Sequence, residues 1–301
     1  MPNTLAHITI SRILSKPITN SVDYIWVYIG CVLPDIPWIF QRVIKVVFSD
    51  IDTYDLRLYS IAQASLFFCI LLSISLAFMS SRPRKVVILL IFGALIHLLL
   101  DASQTKWANG VHLLAPVSWD IWSVAWYWPE SVFTYFISIA GLVIIALDWN
   151  ICSQKQQLLT FSKKRASGFI VFMLSYLILP IIFFSDIEAS NNHFIQTLRD
   201  VEHRIGKSIE FDRSVVNFEQ DKAYIISSMG KDKIYLTNLT LNTSKKISFR
   251  GVFVDVNTIE VYEFHVHERY LRDAMTTLGL LMILVMTLTI IYGSSEKTMG
   301  K

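Results

Sequence analysis

Residues 86–101 run Val-Val-Ile-Leu-Leu-Ile-Phe-Gly-Ala-Leu-Ile-His-Leu-Leu-Leu-Asp, with no acidic or basic side chain other than His97 before Asp101. The run approaches the roughly 20 apolar residues that carry a helix across a bilayer. It differs from an ordinary span in being short and in carrying an imidazole. Four further stretches free of Asp, Glu, Lys and Arg approach the same length: Ile61–Met79, Ser131–Leu147, Gly168–Ser185 and Thr276–Tyr292. The composition agrees. Of 301 residues 53% are hydrophobic and 17% charged, where an ordinary soluble enzyme has about a quarter charged. The charges are also unevenly spread, since residues 186–273 hold 12 of the 27 Lys and Arg and 14 of the 24 Asp and Glu. A charged domain is therefore set into an apolar chain.

Basic residues collect in short cytoplasmic loops. Arg82, Arg84 and Lys85 precede one run, and Lys155, Lys163, Lys164 and Arg165 follow another, so both turns are assigned to the cytoplasm. Between them residues 101–130 contain Lys106 as the single Lys or Arg, together with Trp107, Trp119, Trp122, Trp126 and Trp128, as expected of an outer interfacial belt. Alternation then places residues 186–275 outside and the tail Glu296–Lys301 inside. The first 60 residues suit a hairpin of short helices, Asn3–Ser15 inward and Ser21–Leu33 outward, ending at Pro34-Asp35 on the outer side. Met1–Thr19 lacks the continuous apolar core and cleavage site of a secretory signal, so the start of the chain is expected to be retained.

The predicted fold is a multi-pass α-helical membrane protein with an inserted small β-rich extracytoplasmic domain. Its three parts are a helical domain over 1–185, the β-rich domain over 186–275 and a C-terminal helix with its tail over 276–301. Short β-prone runs between Ser208 and Phe264, separated by polar turns, predict five or six antiparallel strands in a small barrel or sandwich of OB-like type. His265 and His267 alternate on one strand face and suit chelation of a metal, but with no third ligand placed they are expected on a solvated face. Arg213, Arg250, Arg269 and Arg272 are expected to solvate the domain. Asn238 and Asn242 open glycosylation sequons, which matter only in a eukaryote. A net charge of +3 and pI near 8.6 exclude a nucleic-acid partner of the usual basic kind. Cys31, Cys69 and Cys152 are too dispersed for a disulfide framework and read as free thiols.

An ionisable residue within an apolar span needs an explanation. His97 and Asp101 are four apart and share one helix face. That spacing suits two ligands of one divalent cation, an Asp orienting a ligating imidazole, or a buried His–Asp hydrogen bond pinning helices. In the hairpin scheme His7 and Asp35 reach the same outer depth.

The order Ala6-His7, Leu33-Pro34-Asp35-Ile36, His97-Leu-Leu-Leu-Asp101 and Gly110-Val-His-Leu-Leu-Ala-Pro116 resembles the LexA-binding, inner-membrane-associated metal-dependent hydrolase family. That family is itself distantly similar to zinc-dependent phospholipase C. The resemblance covers roughly residues 1–150 and implies His7, Asp35, His97 and Asp101 as metal ligands, zinc or manganese as the metal, and the bacterial inner membrane as the location. The chain departs from the family in one segment. Where members carry a His-Arg-x-x-Thr-His-Ser segment, residues 52–65 have neither histidine, and Asp50, Asp52 and Asp55 are left as oxygen donors, a shift towards harder cations.

A bound cation would lower the pKa of its water to about 7 and polarise the bond under attack. Asp35 or Asp55 is then the candidate catalytic carboxylate. The expected substrate is an ester or phosphoester, with a membrane lipid as a natural case, and His112 and Gln104 are candidate pocket residues. The alternative is a catalytically inactive membrane protein whose His/Asp cluster is a structural clamp and whose external domain binds a partner that the sequence does not identify. A transporter is disfavoured by the lack of an inverted repeat.

Overall fold

The computed structural model describes residues 4–48, 50–152, 160, 162–267 and 271–299. Lys155 and Arg269, singled out above, lie outside the described residues, as do the side chains of Cys152 and of the tail from Glu296 onwards. Eleven α-helices are described: α1 Thr4–Ser15, α2 Tyr24–Val32, α3 Ile36–Val47, α4 Thr53–Gln63, α5 Leu66–Phe78, α6 Pro83–Ser103, α7 Val132–Cys152, α8 Lys163–Ile178, α9 Phe184–Ala189, α10 Ile195–Arg199 and α11 Leu271–Met299. Among the described residues five helical stretches are long and apolar enough to cross a membrane, or six if the bent pair α4 and α5 is one span.

The run that opens the reading is longer than its apolar part. Pro83 starts α6, where the missing proline N–H costs nothing, and the helix continues through Ser103, so His97 and Asp101 lie in its last two turns. Two expectations change. Pro34-Asp35 does not end the second helix of the hairpin, because a 3-10 turn at Leu33–Asp35 leads directly into α3, and the apolar stretch spans Tyr24–Val47. Pro34 and Pro37 each fall in the first turn of the helical piece that contains them, the position that tolerates proline. Ile61–Met79 is not one straight helix, since the chain bends by 69° between Gln63 and Leu66. Ser65 is extended there, and the Leu66 N–H donates to the His112 carbonyl at 3.2 Å.

The helices are tied at their ends by charge. Asp23, before α2, accepts from Arg82 and Lys85 at 2.6 Å each. Asp148 of α7 accepts from Arg12 of α1 at 2.6 Å and from the Tyr28 hydroxyl of α2 at 2.5 Å. Between these ties α2 and α6 cross at very close range. A Cβ on Gly30 would stand 2.3 Å from the Leu90 carbonyl oxygen, and one on Gly93 would stand 2.4 Å from that of Val27. Only glycine permits two backbones to approach so closely.

The sheet contains β1 Ser208–Val215, β2 Asn217–Glu219, β3 Lys222–Ile226, β4 Lys233–Thr237, β5 Lys246–Asp255 and β6 Thr258–Val266, in the order β1-β5-β6-β4-β3-β2. Alternate residues such as Ile209, Phe211, Ile247, Phe249, Ile259 and Val261 fill its buried face. The OB-like closed barrel expected from the strand pattern is not formed: β1 and β2 are the two edge strands of an open six-stranded sheet. The sheet is also mixed. The chain from β4 skips one strand position before β5, so the β5–β6 hairpin brings β6 back beside β4 in parallel.

Candidate metal centre

Three separate parts of the chain deliver polar side chains to one buried point. His7 comes from α1, Asp35 from the turn between α2 and α3, and His97 and Asp101 from the end of α6; the first three are almost wholly buried. The His7 Nε2 lies 3.4 Å from Asp101 Oδ1, and the His97 Nε2 lies 3.7 Å from Asp101 Oδ2 and 3.8 Å from Asp35 Oδ1. These separations exceed ordinary N–H to O hydrogen bonds. They lie close to the edge of a tetrahedron of donors about 2.0–2.2 Å from one cation, roughly 3.3–3.6 Å.

Orientation is fixed as well as distance. The His97 Nδ1 stands 2.5 Å from the Cys31 carbonyl oxygen. A carbonyl only accepts, so Nδ1 carries a proton and Nε2 is turned towards Asp35 and Asp101, an orientation shared with metal-ligating histidines. The His7 and His97 rings meet edge to face with centroids 4.3 Å apart. His7 Nδ1, Asp35 Oδ2 and Asp101 Oδ1 are buried without a hydrogen bond, and each such group costs roughly 1–3 kcal/mol. A cation ligated by either carboxylate oxygen would offset that cost. The Cys31 Sγ also lies within 4.8 Å of ligand nitrogens of His7 and His97, so this buried group could hold a metal ion. Lys106 binds Asp101 Oδ2 at 2.8 Å and leaves Oδ1 towards His7.

Two cavities meet at this cluster. A cleft of about 840 Å³ exposes Asp35, His97 and Asp101 and is walled by α3, α4, α11, β1 and the loop after α6. Its cationic residues include Arg42, Lys45, Arg57, Lys106, Lys246 and Arg272. On the other side an almost wholly apolar groove of about 560 Å³ runs between α1, α6 and α7, with His7 and Gln104 on its wall and Ile10, Leu99 and Phe133 along it. No protein-family model, curated protein or solved structure matches the chain. The chemistry must be argued from the residues in place.

Asp55, the other candidate catalytic carboxylate, is half exposed and bound by Arg199 at 2.6 Å. Asp52 caps α4 by accepting from the Tyr54 and Asp55 N–H groups. Neither is among the residues that line the cleft with His97. Gln104 does reach the cluster, with its Nε2 3.4 Å from His7 Nε2. His112 lines the cleft, and burial pushes its pKa down to about 4 even though its Nδ1 donates to the Trp119 carbonyl at 3.1 Å. Of the loop tryptophans, Trp107 and Trp119 are buried while Trp122 and Trp126 are exposed, so the interfacial reading suits the latter pair.

His265 and His267 do not form the solvated pair expected from their alternation. The His267 side chain is buried, and Trp128 stacks on His265 with centroids 3.8 Å apart. Glu130 completes a second group that could hold a metal by distance alone. Its Oε1, however, already accepts from His267 Nδ1 at 2.9 Å and from Arg213, with Arg272 at 3.7 Å, and His267 Nε2 is 2.7 Å from Ser248 Oγ. Guanidinium groups occupy the place of a cation. Arg213 and Arg272 thus pin the sheet and α11 to the loop before α7 rather than solvating the domain, while Arg250 pairs with Glu210 at 2.8 Å.

Burial alone would raise the Glu130 carboxyl, but the His267 hydrogen bond and the charges of His267, Arg272 and Arg213 hold it at about 2. A depressed folded pKa stabilises fully above the unfolded value near 4.5 and is lost as pH falls towards 2. The clamp should therefore contribute about 3 kcal/mol at neutral pH. Thermal melting in detergent should fall between pH 5 and pH 3 for the natural protein, and Glu130→Gln should be less stable at pH 7 with that slope flattened. A slope unchanged in the variant would reject the assignment.

Sequence reading missed Cys31, Lys106, Arg57, Glu130 and His193. Cys31 lies four residues before Asp35, on the same helical path, and that spacing was the available signal. Nothing local marks Glu130 or His193, whose partners lie 137 and 136 residues away.

Proposed function

We propose that the protein is a multi-pass membrane protein, its β-rich domain on the extracytoplasmic side, that acts as a metal-dependent hydrolase of an ester or phosphoester carrying an apolar tail. One observation carries this reading: His7 and His97 lie together with Cys31 in a buried group of metal-ligand atoms, and their Nε2 atoms face Asp101 at 3.4 and 3.7 Å and, for His97, Asp35 at 3.8 Å, with His97 oriented by the Cys31 carbonyl. The resemblance of these same four residues to the LexA-binding, inner-membrane-associated hydrolase family supports it, as do the apolar runs and their basic flanks. His7, His97 and Asp101 would hold the cation. A nearby thiol and two imidazoles favour zinc, and the carboxylates also admit manganese.

When bound, the cation would supply Lewis-acid polarisation and an acidified water. The remaining work belongs to the chain. Asp35 Oδ2 is buried, unpartnered and placed at the cleft, where it is able to accept a proton from an attacking water. Lys106 holds Asp101 in position. The apolar groove beside His7 suits an acyl or prenyl tail, and the cationic cleft suits an anionic head. Purified protein supplied with zinc or manganese should cleave a short-chain phospholipid or a chromogenic phosphoester, with Asp35→Asn at least about 100-fold slower. Wild-type metal binding without cleavage of either substrate class would reject the hydrolase.

A second reading has its own observation. Lys106 on Asp101 supplies a positive charge with no metal, as a structural clamp would. In that case Lys106→Met would destabilise the protein and added metal would leave its melting unchanged, whereas in a metal centre added metal should raise the melting temperature and the variant should bind metal about 10- to 100-fold more weakly.

A further inference from the structure

The wall of the cleft formed by α3, α4 and the loop after α6 holds a guanidinium with no direct ion pair. Arg57 is half-buried and has no carboxylate within 4.0 Å among the described residues, and Asp212, on the same cleft, acts on it only from a distance; its Nη2 is 2.8 Å from His193 Nδ1, its Nη1 3.5 Å from Gln41 Oε1, and its Nε is buried without a partner. It stacks over Trp38 at 4.5 Å. Elsewhere in the cleft Lys106 is matched by Asp101, Arg213 and Arg272 by Glu130, and Lys246 approaches Asp273 at 3.5 Å. A cation removed from water and held without a direct ion pair is costly, so Arg57 is short of an anion at contact distance.

Two histidines complete the array. A guanidinium only donates, so His193 Nδ1 accepts from Arg57 and the His193 proton sits on Nε2, which is buried and donates to nothing. His112 has the opposite tautomer: its Nδ1 donates to the Trp119 carbonyl, leaving the Nε2 lone pair buried and unmatched. The rings are 6.5 Å apart by centroid. Burial keeps both imidazoles neutral, holding His112 at about 4 and, helped by the Arg57 and His112 neighbours, His193 well below its usual value. The backbone that delivers His193 is strained. Asn191, His193 and Phe194 have φ of 51°, 53° and 57°, the left-handed region that non-glycine residues avoid unless the surroundings enforce it.

We propose that Arg57, His193 and His112 form a subsite for a tetrahedral oxyanion, the phosphate of a phosphomonoester or inorganic phosphate. The guanidinium fork suits two anionic oxygens. The His193 Nε2–H supplies a further donor, and the His112 Nε2 accepts the proton of a singly protonated phosphate. Because Arg57 and His112 line the same cleft as Asp35, His97 and Asp101, the subsite narrows the proposed substrate to phosphoesters. Its catalytic role rests on the hydrolase reading, whereas anion binding itself needs no metal.

The test measures binding of inorganic phosphate, glycerol phosphate and a short-chain phosphatidic acid to the full chain in detergent by calorimetry, with and without chelator. Saturable binding is expected that survives the chelator and His97→Ala but weakens by about tenfold or more in Arg57→Gln and several-fold in His193→Gln. Inorganic phosphate binding as tightly as the lipid identifies the free ion as the natural ligand; much tighter lipid binding identifies a lipid headgroup. Should Arg57→Gln fail to fold, phosphate must protect Arg57 of the natural protein but not Arg84, which is exposed and lies outside the cleft, from a guanidinium-specific reagent. No binding of any of the three ligands, equal binding by a folded Arg57→Gln, or no protection overturns the subsite. Phosphate binding by a protein that takes up no zinc or manganese on reconstitution sinks the hydrolase alone, and metal uptake without phosphate binding sinks the subsite alone.

Discussion

Replacing His97 by alanine is expected to strip the protein of divalent metal, from about one equivalent per chain to near zero after dialysis against metal-free buffer. The expectation follows from the position of its ring. His97 Nε2 faces two carboxylates at 3.7 and 3.8 Å and its ring meets that of His7 with centroids 4.3 Å apart, so its loss removes the donor central to the group. Asp101→Ala should do the same, because Asp101 spans both histidines. Loss of a ligand should weaken binding by at least about 100-fold, more than the 10- to 100-fold typical of residues that only orient ligands. Metal content by plasma mass spectrometry, with monodispersity on gel filtration as the folding control, decides the matter. Near-zero occupancy in the natural protein reconstituted with zinc or manganese would reject the site. Asp55→Asn is the informative control. Asp55 is half exposed and engaged by Arg199, so its replacement should leave metal content unchanged; loss of metal there would move the centre towards α4.

Gly93→Ala should cost more stability than any surface change, about 3 kcal/mol or more. Its added Cβ would lie 2.4 Å from the Val27 carbonyl oxygen and 2.8 Å from the Cys31 nitrogen. Both are backbone atoms of α2, so no side chain can swing away and the helices must separate. The same crossing holds the Cys31 carbonyl 2.5 Å from His97 Nδ1. Displacing α2 from α6 should therefore release the His97 tautomer and weaken metal binding by about tenfold. Thermal melting in detergent and zinc titration should change together. A variant that melts as the natural protein does would mean that the crossing is looser than described, and one that melts early but binds metal normally would separate packing from the centre.

Local patterns made a good part of this legible. Charge-free runs gave the apolar helices because hydropathy is a property of the segment alone. His97 and Asp101 could be placed on one face because the α-helical repeat is a local constant. What escaped depends on distant partners. The bend between α4 and α5 is fixed by a hydrogen bond from Leu66 to the His112 carbonyl, and no feature of residues 61–79 announces it. The run Thr258–Phe264 is legible as a strand, but the burial of His267 and the covering of His265 follow from Glu130 and Trp128 lying against them. The parallel pairing of β4 with β6 likewise depends on which strand position the chain skips.

The sequence by itself determined that the chain is built of apolar helices with a charged β-rich unit between them, and which few ionisable residues lie in the apolar part. Hydropathy and helical spacing act over a few residues and need no fold. Only the tertiary structure decided that His7, Asp35, His97 and Asp101 meet, that Asp55 is engaged elsewhere, and that Arg57 faces the cleft without a direct ion pair. Those outcomes depend on the relative placement of α1, α2, α4 and α6, which the glycine crossing at Gly30 and Gly93 and the end-to-end ion pairs of Asp23 and Asp148 impose over the whole length of the chain.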